Sequence, residues 1–322
     1  MAGYLMSGEH LIQNEPKEQH HEKYNFITVV GIGEQACEKV QWLYDEPCPS
    51  GHVNSKLDYI GIYPHRFFME KIKKSEVGWL EKGKVSNLSE SSCYVSDFQS
   101  VFCQDEKKLR LFMVIIDLSD LAYIDCLEEA LASRSQQVQE RSLIVAVINQ
   151  VQTNEFSGEQ GRVFDQGTVK LKGCCNLVVI NLCDMSEQEQ RSGYDKSRYL
   201  FNNVLLRAGS IESSFIDFRI MTERGQEGYI LSSRASGLHR IKEAVEAVLQ
   251  HLDKFVLAMT SSNSKVSAIL IDITADEMSL SEFDEVGNKV YSNIDDEVTV
   301  TIGMTEGEAM KDELILSLLL VV

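Results

Sequence analysis

The sequence of 322 residues is poor in proline and in positive charge. Four prolines argue against long proline-rich linkers, and 31 basic residues against 49 acidic ones give a formal net charge of −18. A binder of nucleic acid or of an anionic membrane needs a basic face, so this balance disfavours both partners. Solubility, or an acidic surface that meets a basic partner, explains the negative excess.

Long apolar runs and paired cysteines are lacking as well. The longest apolar run, LILSLLLVV at 314–322, is about half of what a membrane helix needs. The first 25 residues are polar and show no signal-peptide pattern. Eight cysteines form no C-x-x-C pair and no metal-ligand spacing, so we expect reduced, packed thiols in a cytoplasmic protein and no metal site.

Short apolar runs of strand length alternate with helical patterns up to about residue 186. The predicted strands are 26–32, 57–63, 109–118, 141–149 and 176–182. Helices are predicted at about 35–43 and 121–137, and 154–169 is predicted to be loop or irregular helix. This alternation is typical of an α/β protein with a doubly wound parallel sheet.

The pattern changes after residue 186, where one long helix is predicted over 187–209 and ends at Gly209. The later predicted elements are strands at 216–221, 228–234, 265–276, 298–306 and 313–322, and helices at 238–256 and 279–294. The predicted organisation is a flexible tail at 1–24, a Rossmann-like domain at 25–186, a connecting helix at 187–209 and a smaller α+β domain at 210–322.

The turn after the first strand has the outline of a phosphate-binding loop. FITVVGIGEQACEKVQWL, at 26–43, runs from a buried strand through Gly31 and Gly33 into helical apolar spacing. As a dinucleotide fingerprint, with Ala36 as its third small residue, it requires an acid at the end of the next strand. Tyr63 and His65 stand there instead, which disfavours an NAD-dependent Rossmann-type enzyme. This enzyme is kept as a third interpretation beside the two given below.

The order of the predicted parts resembles the tubulin/FtsZ superfamily, and bacterial FtsZ above all, over about 25–322. Residues 266–320 are similar to the FtsZ run of strand, "SL-E" helix, acidic turn and two closing strands. FNNVLL at 201–206 is similar to the A-N-D-V-L segment of the central helix, and VVGIG at 29–33 aligns with the first phosphate turn. The resemblance implies the FtsZ fold, GTP as ligand, and self-assembly with a cytoskeletal or cell-division-related role.

The glycines that would cradle phosphate in that family are replaced here. Its first glycine run corresponds to Glu34-Gln35-Ala36-Cys37, and its G-G-G-T-G-[ST]-G signature corresponds to Leu121–Leu127, which holds no glycine. Side chains then occupy the phosphate position, and Asp120 and Asp125 add negative charge beside it. We therefore expect no cofactor, with GTP bound only if an altered pocket has replaced the original one.

Some residues of the family's nucleotide site are retained as candidates. The resemblance assigns to a remnant GTP site the residues Gly31, Gly33, Asn202, Glu159 and Arg162. Asn202 corresponds to the asparagine that reads the base edge, and its alternative interpretation is a helix-surface residue. The position that stacks on the base is Arg198, or Tyr199 after a one-residue slip.

The catalytic carboxylates are reduced to one weak candidate. The family's paired aspartates, which complete the site of the next subunit, correspond to Ser214 and Asp217, on a path about ten residues shorter. The alternative for Asp217 is an exposed acid at a strand edge. The leading interpretation is thus a pseudo-GTPase: an FtsZ-like assembly scaffold or regulatory partner that contacts itself or another FtsZ-like protein longitudinally. The second is a nucleotide-dependent, self-assembling GTPase with an altered pocket.

Overall fold

The computed structural model describes residues 25–45, 57–62, 101–102, 109–116, 118, 121–151, 159–183, 186–206, 211, 214–260, 265–307, 310 and 312–322. The predicted tail at 1–24 lies outside these residues. The strands are β1 (Asn25–Ile32), β2 (Leu57–Ile62), β3 (Leu109–Ile116), β4 (Ser142–Val151), β5 (Leu177–Cys183), β6 (Glu227–Ser236), β7 (Ala268–Ala275), β8 (Thr299–Glu306) and β9 (Glu313–Val321). The helices are α1 (Glu34–Asp45), α2 (Ala122–Ala132), α3 (Gln136–Arg141), α4 (Glu159–Cys174), α5 (Glu187–Leu206), α6 (Phe215–Thr222), α7 (Arg240–Thr260) and α8 (Leu280–Tyr291). None of these helices is long and apolar enough to cross a bilayer.

All the strands named above join in one sheet, in the order β2-β1-β3-β4-β5-β6-β9-β7-β8. Neighbouring strands from β2 to β6 pair in parallel, as the alternation of strands and helices predicts. Strand β9 runs antiparallel to both of its neighbours, β6 and β7. The predicted doubly wound α/β fold is therefore confirmed, with one antiparallel strand in its C-terminal part.

Apolar side chains cover both faces of this sheet, which is why its strands read as continuous apolar runs. On one face they pack against α2, α4, α7 and α8, with Leu127, Leu171 and Val248 among the buried contacts. On the other face they pack against α1, α5 and α6, with Val40 and Phe201 buried there. Helix α5 thus lies against the sheet and not in a separate linker.

The pairing between neighbouring strands is shortest between β5 and β6. Only Val178↔Glu227 and Val179↔Gly228 pair across this junction, whereas β6 and β9 pair over nine positions. The junction is close-packed, because a Cβ on Gly228 would lie 3.1 Å from a Leu319 methyl carbon. The strands on its two sides correspond to the two predicted units, and the domain boundaries themselves stay a prediction.

Three sequence-based expectations differ from the structure. The predicted strand at 216–221 is wrong, because this segment lies within α6. Residues 159–174 form a regular helix where loop or irregular helix was expected up to 169, and they bury Leu171. The helix predicted at 121–137 ends at Ala132, and Ser135 caps the separate helix α3 by accepting a hydrogen bond from Val138 N. Helix 187–209 is described to Leu206.

Candidate functional site

The second glycine of the turn between β1 and α1 has a backbone conformation with positive φ. Gly33 has φ of +98°, a region that glycine occupies without steric cost. Its N–H donates to the Ile62 carbonyl at 3.0 Å, and its carbonyl accepts from Cys37 N at 3.0 Å. Both polar groups of Gly33 are therefore committed to the protein backbone, one to β2 and one to the first turn of α1.

The first glycine of the turn, Gly31, is required by the packing of α1 on β1. A Cβ at this position would lie 2.8 Å from the Ala36 carbonyl oxygen and 2.9 Å from a Val40 methyl carbon. The Cys37 thiol donates to the carbonyls of Gly31 at 3.4 Å and of Ile62 at 3.5 Å. Close contact between helix and strand thus accounts for the glycine without a ligand.

The segment that corresponds to the family's glycine signature is the start of a packed helix. Leu121 precedes α2 with φ −64° and ψ −20°, so the chain is already helical there. Tyr123, Ile124 and Leu127 are buried in the core. A Cβ on Gly167 of α4 would meet an Ile124 methyl at 3.3 Å, so the two helices are in close contact. Tyr123, Ile124 and Leu127 are thus held in the packing of α2 against the core.

The acid in this segment is exposed and paired. Asp125 forms an ion pair with Lys170 of α4. Asp120 lies outside the described residues. The pair joins the outer surfaces of α2 and α4, the same two helices that pack beneath it, and it therefore belongs to their contact.

The base-side candidates lie inside the fold on α5. Asn202 is 1% exposed, so its interpretation as a helix-surface residue is wrong. Arg198 is 2% exposed: its guanidinium forms an ion pair with Asp195 at 2.5 Å and donates to the Leu43 carbonyl. Tyr199 is also buried, and its hydroxyl lies 4.0 Å from Met310 Sδ. Neither stacking candidate presents a free planar face to solvent.

Two of the remnant-site candidates, Glu159 and Arg162, lie at the start of α4. Glu159 is the first residue of this helix, and Arg162 lies about one helical turn further along it, with an exposed side chain. Whether they contact a ligand stays a prediction.

The hydrolysis candidate, Asp217, is part of a helix cap. Ser214 Oγ accepts from Asp217 N at 3.1 Å, and the Asp217 carboxylate accepts from Ser214 N at 2.8 Å. This reciprocal pair is a capping box at the start of α6. The interpretation of Asp217 as a strand-edge acid is therefore wrong. The S-x-x-D spacing at 214–217 is the sequence signal that predicts this helix.

A groove of about 380 Å³ lies between α1, the helix that follows the glycine turn, and α5, the helix that carries Asn202. It is lined by Gln35, Glu38, Lys39, Trp42, Gln190, Arg191 and Tyr194. Lys39 Nζ lies 5.4 Å from the centre of the Tyr194 ring, and the Arg191 guanidinium carbon lies 5.4 Å from the centre of the Trp42 ring. Gln35, from the segment aligned with the first glycine run, lines this groove, whereas its described lining includes none of the remnant-site candidates Gly31, Gly33, Asn202, Glu159 and Arg162.

A buried polar cluster joins α5 to the C-terminal strands, and sequence reasoning missed it. Asp272 of β7 is 1% exposed. Asn203 Nδ2 donates to Asp272 Oδ2 at 3.0 Å and to Thr274 Oγ1 at 2.9 Å. The hydroxyls of Thr274 and Thr305 each donate to Asp272 at 3.2 Å. The signal for it is the acid within the apolar strand AILIDITA.

Comparisons with known proteins agree with the strand and helix order described above. The model of the FtsZ family, C-terminal domain, matches residues 228–321, from β6 to β9. The cell division protein FtsZ of Pseudomonas aeruginosa is 30% identical over 115 residues, which are 35% of this chain and 28% of that protein. The chain thus matches less than a third of the length of this curated relative.

Solved structures of FtsZ and CetZ proteins share the fold along nearly the whole chain. An FtsZ mutant from M. jannaschii superposes with a TM-score of 0.65 at 16% identity, over 93% of this chain and 91% of that one. CetZ2 from Haloferax volcanii, a GTPγS-bound protofilament, gives a TM-score of 0.53 at 10% identity, over 92% of each chain. The predicted resemblance is therefore confirmed: the chain has the tubulin/FtsZ fold, and its residues 228–321 match the FtsZ C-terminal domain.

Proposed function

We propose that this chain is an FtsZ/tubulin-like cytoskeletal or cell-division-related protein that has lost canonical GTP binding and hydrolysis. It acts as an assembly scaffold or as a regulatory partner in the cytoplasm. The superfamily fold and the relative named as a cell division protein support the general role. The loss of nucleotide chemistry is supported by the site itself.

One observation supports this proposal: residues 121–127, which the resemblance aligns with the family's phosphate signature, form the partly buried start of α2. Buried Tyr123, Ile124 and Leu127 anchor this segment to the core. A phosphate cradle needs backbone amides that a ligand can approach closely, and only glycine leaves that approach open. To admit a triphosphate, the first turn of α2 would have to leave the core and expose these apolar side chains to water.

The amide of the first phosphate turn, between β1 and α1, is also hydrogen-bonded within the protein. The Gly33 amide, which a phosphate turn would offer to an anion, donates to Ile62 instead. Hydrolysis meets the same obstacle, because the Asp217 carboxylate accepts from the backbone and side chain of Ser214. A carboxylate oxygen held by its own helix cap is poorly placed to position a water for a neighbouring subunit.

Self-association, or co-assembly with another FtsZ-like protein, needs no nucleotide chemistry of its own. The CetZ2 relative forms a protofilament. In this chain, helix α6 presents two apolar side chains one turn apart to solvent, with Ile216 63% and Ile220 42% exposed. Such a pair adds apolar area to a protein contact. We place the longitudinal contact of the proposed assembly on the surface that includes α6.

The test is calorimetric titration with GTP and Mg²⁺ of protein that has been checked for co-purified nucleotide. We expect no heat of binding at millimolar GTP, while Haloferax volcanii CetZ2 under the same conditions serves as the positive control. Sedimentation of the chain with and without GTP is expected to give the same pelleted fraction. Micromolar binding, or stoichiometric GTP in the purified protein, would overturn the loss of nucleotide binding.

The second candidate is a nucleotide-dependent, self-assembling GTPase with an altered pocket, and the groove between α1 and α5 favours it. Two aromatic rings and two cations line that groove, and such groups stack on bases and attract phosphate. With Trp79→Phe as background, Trp42 is the one remaining tryptophan of the chain and reports on the groove. Saturable quenching of its fluorescence by GTP, abolished in Lys39→Ala, would support this candidate. An unchanged signal at millimolar GTP would reject it.

A further inference from the structure

Two adjacent cysteines, Cys174 and Cys175, lie where α4 ends and the chain turns towards β5. Their Sγ atoms are 3.9 Å apart, within reach of a sulfur hydrogen bond. Two other free cysteines of the described chain, Cys37 and Cys126, are buried within α1 and α2. In the pair at 174–175, one thiol thus lies within contact distance of another.

Backbone hydrogen bonds fix the chain on both sides of the pair. Cys175 N donates to the Leu171 carbonyl at 2.8 Å and closes the last turn of α4. Asn176 is joined twice to Ile144 of β4: its N–H donates to the Ile144 carbonyl, and its Oδ1 accepts from Ile144 N, each at 2.8 Å. The two thiols are therefore held next to each other by the fold.

The two thiols differ in access and in acidity. Cys174 is half-buried and Cys175 is buried. The hydrogen bond from Cys175 lowers the pKa of Cys174; the Arg134 guanidinium helps, while burial and Glu128 oppose it. The same hydrogen bond, together with burial, raises the pKa of Cys175. A thiolate thus forms preferentially at the sulfur that solvent can reach, which is the arrangement of a nucleophile backed by a second thiol.

We propose that Cys174 and Cys175 form a thiol–disulfide exchange site, in which Cys174 is the nucleophile, Cys175 is the resolving thiol, and low-molecular-weight disulfides are the oxidant. The Cys174 thiolate attacks one sulfur of the oxidant RSSR, whose S–S bond breaks and releases one RS⁻. Cys175 then loses its proton and attacks the Cys174 sulfur of the mixed disulfide, which releases the second RS⁻. The protein dithiol loses two electrons, and the oxidant gains them and ends as two RSH.

The product of this exchange is easily reversed. Neighbouring Cα atoms are about 3.8 Å apart across a trans peptide, below the usual separation of about 4.4–6.8 Å across a disulfide. A bridge between adjacent cysteines is therefore strained, and strained disulfides are the labile ones. The pair is suited to respond reversibly to the ratio of disulfide to thiol in its surroundings.

The experiment exposes the full chain to glutathione buffers of rising disulfide content, quenches it with acid, alkylates the free thiols and identifies the peptides by mass spectrometry. Trypsin releases residues 173–191, and fragment ions separate the pair from Cys183 in the same peptide. We expect the pair to lose two hydrogens and to regain them when reduced glutathione is added. Cys175→Ser is expected to stop at one glutathione on Cys174.

Either of two results would overturn the proposal. One is a Cys174 that acquires glutathione no faster than Cys126, a buried thiol of α2. The other is an unsubstituted chain that keeps the mixed disulfide as long as Cys175→Ser does, since the second thiol would then resolve nothing. A measurement free of substitutions accompanies these: with limiting iodoacetamide, Cys174 is expected to react at least about tenfold faster than Cys126. Equal rates in the native chain would also reject the site.

Discussion

Replacing Asn203 by alanine removes a buried polar link between α5 and the C-terminal strands. The side chain donates two buried hydrogen bonds, to Asp272 at 3.0 Å and to Thr274 at 2.9 Å. A buried hydrogen bond contributes roughly 1 kcal/mol net, and a buried acceptor that loses its donor costs roughly 1–3 kcal/mol. We therefore expect Asn203→Ala to lower the free energy of unfolding by roughly 2–4 kcal/mol.

The assay is urea unfolding followed by circular dichroism, with the slope of the transition compared between variants. Asn288→Ala is the matched control, because Asn288 is an exposed residue in the interior of α8 and gains the same helix propensity on substitution. The difference between the two variants then isolates the buried contacts. If Asn203→Ala unfolds within about 0.5 kcal/mol of Asn288→Ala, the cluster contributes no stability and the reasoning is refuted.

A double-mutant cycle resolves which contact matters. Thr274→Val removes the hydroxyl that both accepts from Asn203 and donates to Asp272. The combined variant is expected to lose less than the sum of the two single changes, by at least about 0.5 kcal/mol, because the substitutions break a shared network. Strict additivity would show that Asn203 and Thr274 act independently.

Three further predictions concern the turn and the helix caps. Gly31→Ala is expected to destabilise the fold by roughly 1–3 kcal/mol, since the new methyl meets the backbone of α1; Gly173→Ala, with open space around it, should not, and thermal unfolding compares the two. Ser214→Ala removes the cap of α6 and is expected to cost about 1 kcal/mol in urea unfolding. Hydrogen bonding to Ser279 lowers the pKa of Glu282, so its stabilisation is present above the ordinary pKa and is lost as pH falls through the lowered one; Glu282→Gln should flatten that part of the stability–pH curve.

Local signals predicted the C-terminal elements well. The helix predicted at 279–294 is capped by Ser279, which forms a capping box with Glu282. Strands β6 to β9 follow from apolar runs bounded by turns, and the structure changes their ends by a few residues. These elements are predictable because their determinants lie within a few residues of one another in the sequence.

The residues that sequence reasoning misplaced are those whose partners lie far away or whose pattern is ambiguous. IDFRIM alternates apolar and polar residues like a strand, and the capping box of Ser214 and Asp217 decides for a helix. The resemblance predicts Arg198 as a stacking position beside a base. Arg198 is instead buried, with its guanidinium donating to the Leu43 carbonyl and to Asp195, and no rule of spacing joins it to Leu43, 155 residues away.

The candidate site shows the same division. The absence of the phosphate glycines is predictable, because the residue types at the aligned positions are read directly from the sequence. The sequence does not predict what replaces them, because the packing of Ile124 against Gly167 joins two helices that are distant in the chain. The groove between α1 and α5 was missed for the same reason, as its two walls are about 150 residues apart.

The two-pair junction between β5 and β6 has a mechanical consequence. Bending the sheet along this line would strain two residue pairs, whereas bending it between β6 and β9 would strain nine. The sheet is thus expected to bend most easily at this junction. Helix α5 packs on β4 and β5 and is hydrogen-bonded to β7 through Asn203, so it bridges the junction and opposes the bend. A force or a partner that moved the C-terminal strands away from β1–β5 would therefore also have to displace this helix.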